Sequence, residues 1–324
     1  MNRFYSLLQT IKSEHVFIQT HNFPDPDAVS SAFGLQKLLE LNKISATICY
    51  KGDINRSLAA RMIDVLNIEL FNIDEINEMS IHDEIILVDS QKGNSNILDF
   101  VGRETICVDH HPTFQKETYL FEDIRPWVGA CASIISEYYV ENNIAIDKKV
   151  ATALLVGIKI DTANLTRNVS DLDLDMFYYL YKRADLDLLK QCEENRLEFS
   201  DLKSYSYAIN SIEVYGNVIF ANPGVNCSES IIAHISDFML SLSEVKFSIV
   251  YSIKEDGIRL SVRSKDNSYD AGEITNIALK GIGSGGGHDT MAGGQIRLNG
   301  ENHTEEELGQ KIIARFLDTI NEIL

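Results

Sequence analysis

Aspartates and histidines fall into four short runs in the first half of this 324-residue chain. They are His21-Asn-Phe-Pro-Asp25-Pro-Asp27, Asp89 in LVDS, Asp109-His110-His111, and Asp161 in GIKIDT. Carboxylates and imidazoles without thiolates suit Mn2+, Mg2+, Fe2+ or Zn2+. The set holds more donors than one ion uses. Two divalent ions about 3.5–4 Å apart are the usual device for displacement at phosphorus. Such a pair needs a shared carboxylate, and Asp89 is the natural bridge. Pro26 restricts the backbone between Asp25 and Asp27. In an irregular turn both carboxylates can then face one pocket and serve different ions.

Taken singly, each run has an ordinary explanation. Asp27 ahead of AVSSAFGL reads as a helix N-cap. Asp89 reads as a strand-end turn residue, His110-His111 as a surface loop, and Asp161 as a solvated helix end. Four coincidences at the correct ends of their elements are improbable together.

The elements that must position these residues follow from hydrophobic period. HVFIQT (15–20), ISATICY (44–50), EIILVD (84–89) and ETICVD (104–109) read as strands. Ala28 to Leu41, Asn55 to Leu66, and the stretches near 130–143 and 147–160 read as helices. This alternation predicts an α/β domain, a parallel sheet with helices on both faces. Ligands of such sheets bind outside the carboxyl ends of the strands. Residues 170–212 look helical and highly charged. VIFANPG, a helix near 228–242, VKFSIVYSI, a turn at Glu255-Asp256-Gly257, and IRLSVRS follow. A helix near 271–280 and another from about 304 to 322 complete a smaller α+β domain. The expected division is 1–190 for the first domain, 191–212 for a helical linker and 213–324 for the second domain.

Gly281-Ile-Gly283-Ser-Gly285-Gly286 formally matches a dinucleotide fingerprint, but a helix precedes it and a strand follows, the reverse of the required context. A flexible backbone closing its N–H groups on a phosphate is the better reading, with His288 against that phosphate. A plain glycine-rich turn is the alternative. Phe23 and Trp127 could stack on a base, although packing at a core or rim is the commoner fate of aromatics.

Hydrophobic residues make up 44% and charged residues 24%, an ordinary globular composition. With 48 acidic against 29 basic residues the net charge is −19. That excludes a broad basic face gripping duplex nucleic acid by counterion release, but not a short phosphorylated substrate held by local cations. Cys49, Cys107, Cys131, Cys192 and Cys227 form no CxxC pair, so a reduced, cytoplasmic protein without a thiolate zinc site is expected. No run of about 20 apolar residues predicts a membrane span. MNRFYSLLQTIKSEH reads as an amphipathic helix, not a signal peptide.

In combination these runs resemble the DHH phosphoesterase family, in the branch that carries a DHHA1 domain. Asp109-His110-His111 is the triplet that names the family. His21, Asp25, Asp27, Asp89 and Asp161 match its other motifs in order and spacing, and Gly285-Gly286-Gly287-His288, preceded by Arg263, matches the second domain. Ser30 and Met291 depart from the family pattern, and Met291 bears on the shape of a base pocket. Domain order and size are similar to bacterial and archaeal nanoRNase/pAp phosphatases, which degrade very short oligonucleotides and remove phosphate from 3′-phosphoadenosine 5′-phosphate.

The resemblance implies two Mn2+ ions, the first held by His21, Asp25 and Asp89, the second by Asp27, Asp89, His110 and Asp161. It implies that His111 faces the substrate phosphate or leaving oxygen and that Asp109 orients its neighbouring histidine. It assigns Arg263 and Gly285 to His288 to a substrate phosphate. The partner would be a short single-stranded oligonucleotide or nucleotide, with the second domain limiting its length. Inorganic pyrophosphatases share a similar first domain, but their SRKKQ-like motif is not found here. RecJ-like exonucleases add further domains. A phosphodiesterase for pApA or cyclic di-AMP presents the same bond to the same metals and stays open. A catalytically idle nucleotide sensor is the alternative of another class, against which the filled ligand positions speak.

Overall fold

The computed structural model describes residues 2–54, 58–94, 96–194, 197–266, 268–297 and 304–323. The chain divides into two units, residues 1–195 and 196–324. In the first, α1 (Arg3–Thr10) leads to β1 (His15–Gln19), α2 (Pro26–Leu41), β2 (Ser45–Tyr50), α3 (Leu58–Leu66) and β3 (Phe71–Asn72). A 3-10 turn (Ile73–Glu75) precedes β4 (Glu84–Val88), β5 (Arg103–Asp109) and β6 (Phe121–Ile124). Then come α4 (Cys131–Glu141), α5 (Lys148–Asp161), α6 (Asp171–Tyr181) and α7 (Leu186–Glu193). Asn55, read as the start of the third helix, lies outside the described residues.

The six strands form one parallel sheet in the order β3-β2-β1-β4-β5-β6. β4 is buried along its whole length, as near-continuous apolar strands of parallel sheets are. Strand order reverses between β1 and β4, which places the ligand crevice of such a sheet at their carboxyl ends. α2 starts there because Asp25 caps it, accepting the Ala28 N–H at 3.0 Å, and Pro26 fits its first turn.

Side chains of both faces of the sheet are covered, in two separate cores. Val16, Ile18, Ile86 and Val88 join a core built with side chains from α1 to α7. Phe17, Ile85 and Leu87 face the other way and are covered by Ile73, Ile76, Met79 and Ile97 from turns and loops. The physical reason lies in the crossovers. No helix forms among the described residues of 89–102 or 110–120, which join β4 to β5 and β5 to β6.

Helical residues of 170–212 form α6, α7 and then α8 (Asp201–Asn210). Leu189 and Cys192 of α7 belong to the core of the first unit, and Ala208 of α8 to a core of the second. The second unit continues with β7 (Glu213–Tyr215), β8 (Val218–Ala221), α9 (Glu229–Leu240), β9 (Phe247–Lys254) and β10 (Gly257–Ser264). α10 (Ala271–Leu279), β11 (Gly283–Gly287), β12 (Met291–Arg297) and α11 (Glu305–Ile323) complete it. The strands form a mixed sheet in the order β11-β12-β10-β9-β8-β7, with β8 and β9 parallel. The glycine-rich run, expected to be flexible, has a regular backbone. It is an edge strand, because antiparallel pairing of Gly283–Gly287 with β12 overrides the weak strand preference of glycine.

Candidate metal centre

β1, β4 and β5 deliver their last residues to one edge. His21 follows β1 by two residues, Asp89 follows β4 directly, and Asp109 ends β5 ahead of His110 and His111. Asp25 and Asp27 open α2, and Asp161 closes α5. Asp89 takes a left-handed backbone (φ 58°), a conformation aspartate tolerates better than most residues.

These side chains converge. Asp89 Oδ2 lies 3.6 Å from His21 Nε2, which is 3.8 Å from Asp25 Oδ1. Asp89 Oδ1 lies 3.3 Å from His110 Nε2, which is 3.1 Å from Asp161 Oδ2 and 3.9 Å from Asp27 Oδ2. One oxygen of this buried carboxylate thus faces His21, which sits with Asp25, and the other faces His110, which sits with Asp27 and Asp161, and lies 3.6 Å from His111 Nδ1.

The hydrogen bonds around the edge fix what these atoms present. His21 Nδ1 lies 2.9 Å from the Asn22 carbonyl and His110 Nδ1 3.1 Å from the Val128 carbonyl. A carbonyl accepts only, so each Nδ1 carries the proton, and in the neutral ring Nε2 turns a lone pair toward carboxylates. Asp89 Oδ1 and His110 Nε2 are buried without a hydrogen-bond partner. Facing lone pairs of this kind are stable only with positive charge between them. The donor set therefore fits divalent cations, in the tautomers that metal-binding histidines use.

Protonation in the metal-free protein points the same way. Burial opposes charge on His21, yet the Asp25 and Asp89 carboxylates push its pKa up to about 10. Burial likewise opposes charge on His110, and Asp161, Asp89 and Asp27 drive its pKa well above the usual value. Burial lifts Asp89 to about 6 against the pull of His110. Asp27 is raised well above the carboxylate range by burial and then by the charges of Asp89 and Asp161.

Asp27 has a second attachment. Its Oδ2 accepts the Cys131 N–H at 2.7 Å and its Oδ1 the Ala132 N–H at 2.9 Å. It therefore caps α4, whose own N-cap Ala130 offers no side chain. The N-cap of α2, which the sequence suggested for Asp27, is Asp25. On the other side, His111 Nδ1 lies 2.9 Å from Asp109 Oδ1. Asp109 also accepts the His110 N–H at 2.8 Å and Gln91 Nε2 at 2.7 Å. Gln91 donates as well to the His111 carbonyl at 2.9 Å. Sequence reasoning missed Gln91, since a glutamine two residues after Asp89 carries no signal of its own. It also missed Gly157 of α5, although glycine inside a helix is costly enough to ask for a reason.

In the second unit Arg263 is held in place. Its Nε donates to Asp237 Oδ1 at 2.7 Å and its Nη1 to Ser261 Oγ at 2.9 Å and the Val262 carbonyl at 3.0 Å, so none of these three contacts uses Nη2. Gly285, Gly286 and Gly287 lie on the edge strand β11, and exposed His288 follows in the turn to β12. Phe23 and Trp127, the aromatics next to the metal-centre runs, are 65% and 68% exposed, so neither is packed in a core.

The first unit is thus a parallel α/β domain with a carboxylate–imidazole centre suited to two divalent cations at its strand ends. The family models agree. The DHH family N-terminal domain matches residues 15–158, and the DHHA1 domain matches residues 213–324. The chain belongs to the DHH family, with a DHHA1 domain as its second part. An uncharacterised protein of Methanocaldococcus jannaschii is 32% identical over 288 residues, 89% of this chain and 59% of that protein. The cyclic-di-AMP phosphodiesterase PdeA of Listeria monocytogenes is 26% identical over 310 residues, 88% of this chain and 45% of PdeA. The chain thus spans about half the length of these curated relatives. The crystal structure of an exopolyphosphatase-related protein from Bacteroides fragilis has the same fold. Its TM-score is 0.76 at 18% identity, covering 99% of this chain and 97% of that one.

Proposed function

We propose that this protein is a two-metal phosphoesterase that hydrolyses short oligonucleotides to nucleoside 5′-monophosphates, removes phosphate from 3′-phosphoadenosine 5′-phosphate, or does both. One observation carries the reading. Asp89 turns one oxygen to His21, beside Asp25, and the other to His110, beside Asp27 and Asp161, the arrangement a bridging carboxylate needs. His21, Asp25 and Asp89 would hold one cation, and Asp27, Asp89, His110 and Asp161 the other. Mn2+ suits this mixture of oxygen and imidazole donors. When bound, the pair supplies charge to a phosphoryl group and lowers the pKa of a water.

The remaining groups supply orientation and proton transfer. Gln91 and the His110 N–H anchor Asp109, and Asp109 holds the proton on His111 Nδ1. That leaves His111 Nε2 to hold or deliver a proton at the leaving oxygen. We assign Arg263 and His288 to a substrate phosphate. Asp237 and Ser261 fix the plane of the guanidinium, and Nη2 is the nitrogen left for that phosphate.

A second reading, a phosphodiesterase for cyclic di-AMP or linear pApA, is favoured by the likeness to PdeA. Turnover of pAp, pApA, cyclic di-AMP and RNAs of about two to five nucleotides with Mn2+ separates the two, since a length-limited site should act on the short RNAs. Hydrolysis of the cyclic dinucleotide but not the RNAs would favour the second reading. Failure on all four would remove both.

A further inference from the structure

Phe23 stands in a backbone conformation that its residue type resists. Its φ is 55°, in the left-handed region, where a bulky residue is an outlier and Asn, Asp or Gly is usual. Pro24 follows it, and a residue before proline is driven toward extended conformations. The strain is imposed from both sides. The Phe23 N–H donates to the Lys51 carbonyl and the Asn22 N–H to the Asn96 carbonyl, each at 2.7 Å. Asn22 Oδ1 accepts the Leu98 N–H at 3.2 Å. Strain fixed this firmly beside a site marks a side chain whose position matters.

The ring does not contribute to a core. It is 65% exposed, and one side rests on Gly52, where a Cβ would lie 2.6 Å from Phe23 Cδ1. Burial therefore does not repay the strain. The ring is seated and otherwise open, two residues from His21 and two from Asp25. That spacing keeps its Cα within about 7 Å of each ligand's Cα, roughly a sugar's reach from a phosphate at the centre. We propose that Phe23 is a nucleobase-stacking shelf, which makes base-bearing phosphoesters, rather than phosphate or pyrophosphate alone, the substrate class of the centre. This rests on the phosphoesterase reading and names the side chain that would hold the base of its nucleotide substrates. Aromatic faces accept any base, because every base has a π-face. The shelf therefore selects nucleotides without selecting sequence.

Phe23→Asn removes the ring and installs a residue at ease in the left-handed region, so the fold should be kept. Phe23→Trp restores a ring. KM and kcat are measured with Mn2+ on a ribo-dinucleotide and on its abasic counterpart, and the affinities of AMP and ribose 5-phosphate are measured by calorimetry. Phe23→Asn should raise KM for the dinucleotide about tenfold, equivalent to about 1.4 kcal/mol. It should leave kcat and the abasic substrate within about twofold, and Phe23→Trp should recover the loss. AMP affinity should fall in parallel while ribose 5-phosphate binding stays. Equal effects on base-bearing and base-free ligands, or none, would overturn the shelf. If the wild type hydrolyses neither substrate, the oligonucleotide reading fails, and AMP against ribose 5-phosphate still decides the role of Phe23.

Discussion

Gly157→Ala tests whether the placement of Asp27 governs metal binding. Gly157 sits in α5 one turn before Asp161, against residues of α2 and α4. A Cβ there would lie 2.3 Å from Ser30 Oγ, 2.9 Å from Asp27 Oδ1 and 3.0 Å from Ala132 Cβ. Ser30, Asp27 and Ala132 are all fully buried, and both Asp27 oxygens are tied to the amides of α4. Overpacking of this kind costs ~1–3 kcal/mol, and replacing a mid-helix glycine with alanine returns ~0.5–1 kcal/mol. The net loss of stability is then ~0–2.5 kcal/mol. Relief through Asp27 would give up a hydrogen bond to a charged group, worth ~1.5–3 kcal/mol, and would turn its oxygen away from His110 and Asp161.

We expect thermal unfolding in EDTA at a lower temperature than wild type, and calorimetric Mn2+ affinity at the Asp27 position weakened about tenfold or more, ~1.4 kcal/mol. Gly34→Ala is the control. Its Cβ would meet Ile135 Cγ2 and Leu154 Cδ2 at 3.0 Å, apolar atoms that hold no ligand. It should cost stability and leave Mn2+ binding intact. Adding Ser30→Ala to Gly157→Ala removes the tightest contact and should restore part of both losses. Wild-type Mn2+ affinity in a destabilised Gly157→Ala protein would refute the reasoning, because the ion would then not depend on where Asp27 is held.

Asp89→Ala removes the carboxylate assigned to both ions, so Mn2+ stoichiometry should collapse and hydrolysis fall well beyond tenfold, more than ~1.4 kcal/mol of barrier. Activity within tenfold of wild type would dismiss the bridge. Burial raises Asp89 from 3.8 to about 6 in the metal-free protein. Proton binding therefore favours the folded state, fully below the unfolded value, and that contribution is lost as pH rises through about 6. Cations compete for the same oxygens, so the Tm gain on adding Mn2+ should grow from about pH 5 to about pH 7. A flat or falling gain would show that Asp89 does not bind the metal. Arg263→Ala should raise KM for nucleotides at unchanged Mn2+ content, and loss of metal instead would show that Arg263 supports structure rather than substrate.

The centre was legible in the sequence where residue type alone limits the chemistry. His21, Asp89 and Asp109-His110 stand at the ends of apolar strands, and the parallel sheet brings those ends to one edge. Fold details that depend on partners were not legible. Gly283–Gly287 has weak intrinsic strand preference, and only its pairing with β12 makes it a strand. The parallel sheet with its helices was legible, because strands alternated with helical patterns; what covers Phe17, Ile85 and Leu87 was not. The loops after β4 and β5 contain the ligands themselves, and they cover the second face.

The attachment of Asp27 was hidden for a related reason, since Cys131 and Ala132 lie more than a hundred residues along the chain. That attachment accounts for how the metal-free protein tolerates its own centre. Asp25, Asp27, Asp89, Asp109 and Asp161 gather more negative charge than the three neighbouring imidazoles can offset one for one. The amides at the start of α4 add partial positive charge and aim Asp27 before any cation arrives. The same bonds that make the fold tolerable thus set the donor geometry. A substitution that loosens α4 from Asp27 should reduce stability and metal affinity together, whereas Asp161→Asn, at a ligand whose carboxylate caps no helix, should reduce affinity alone.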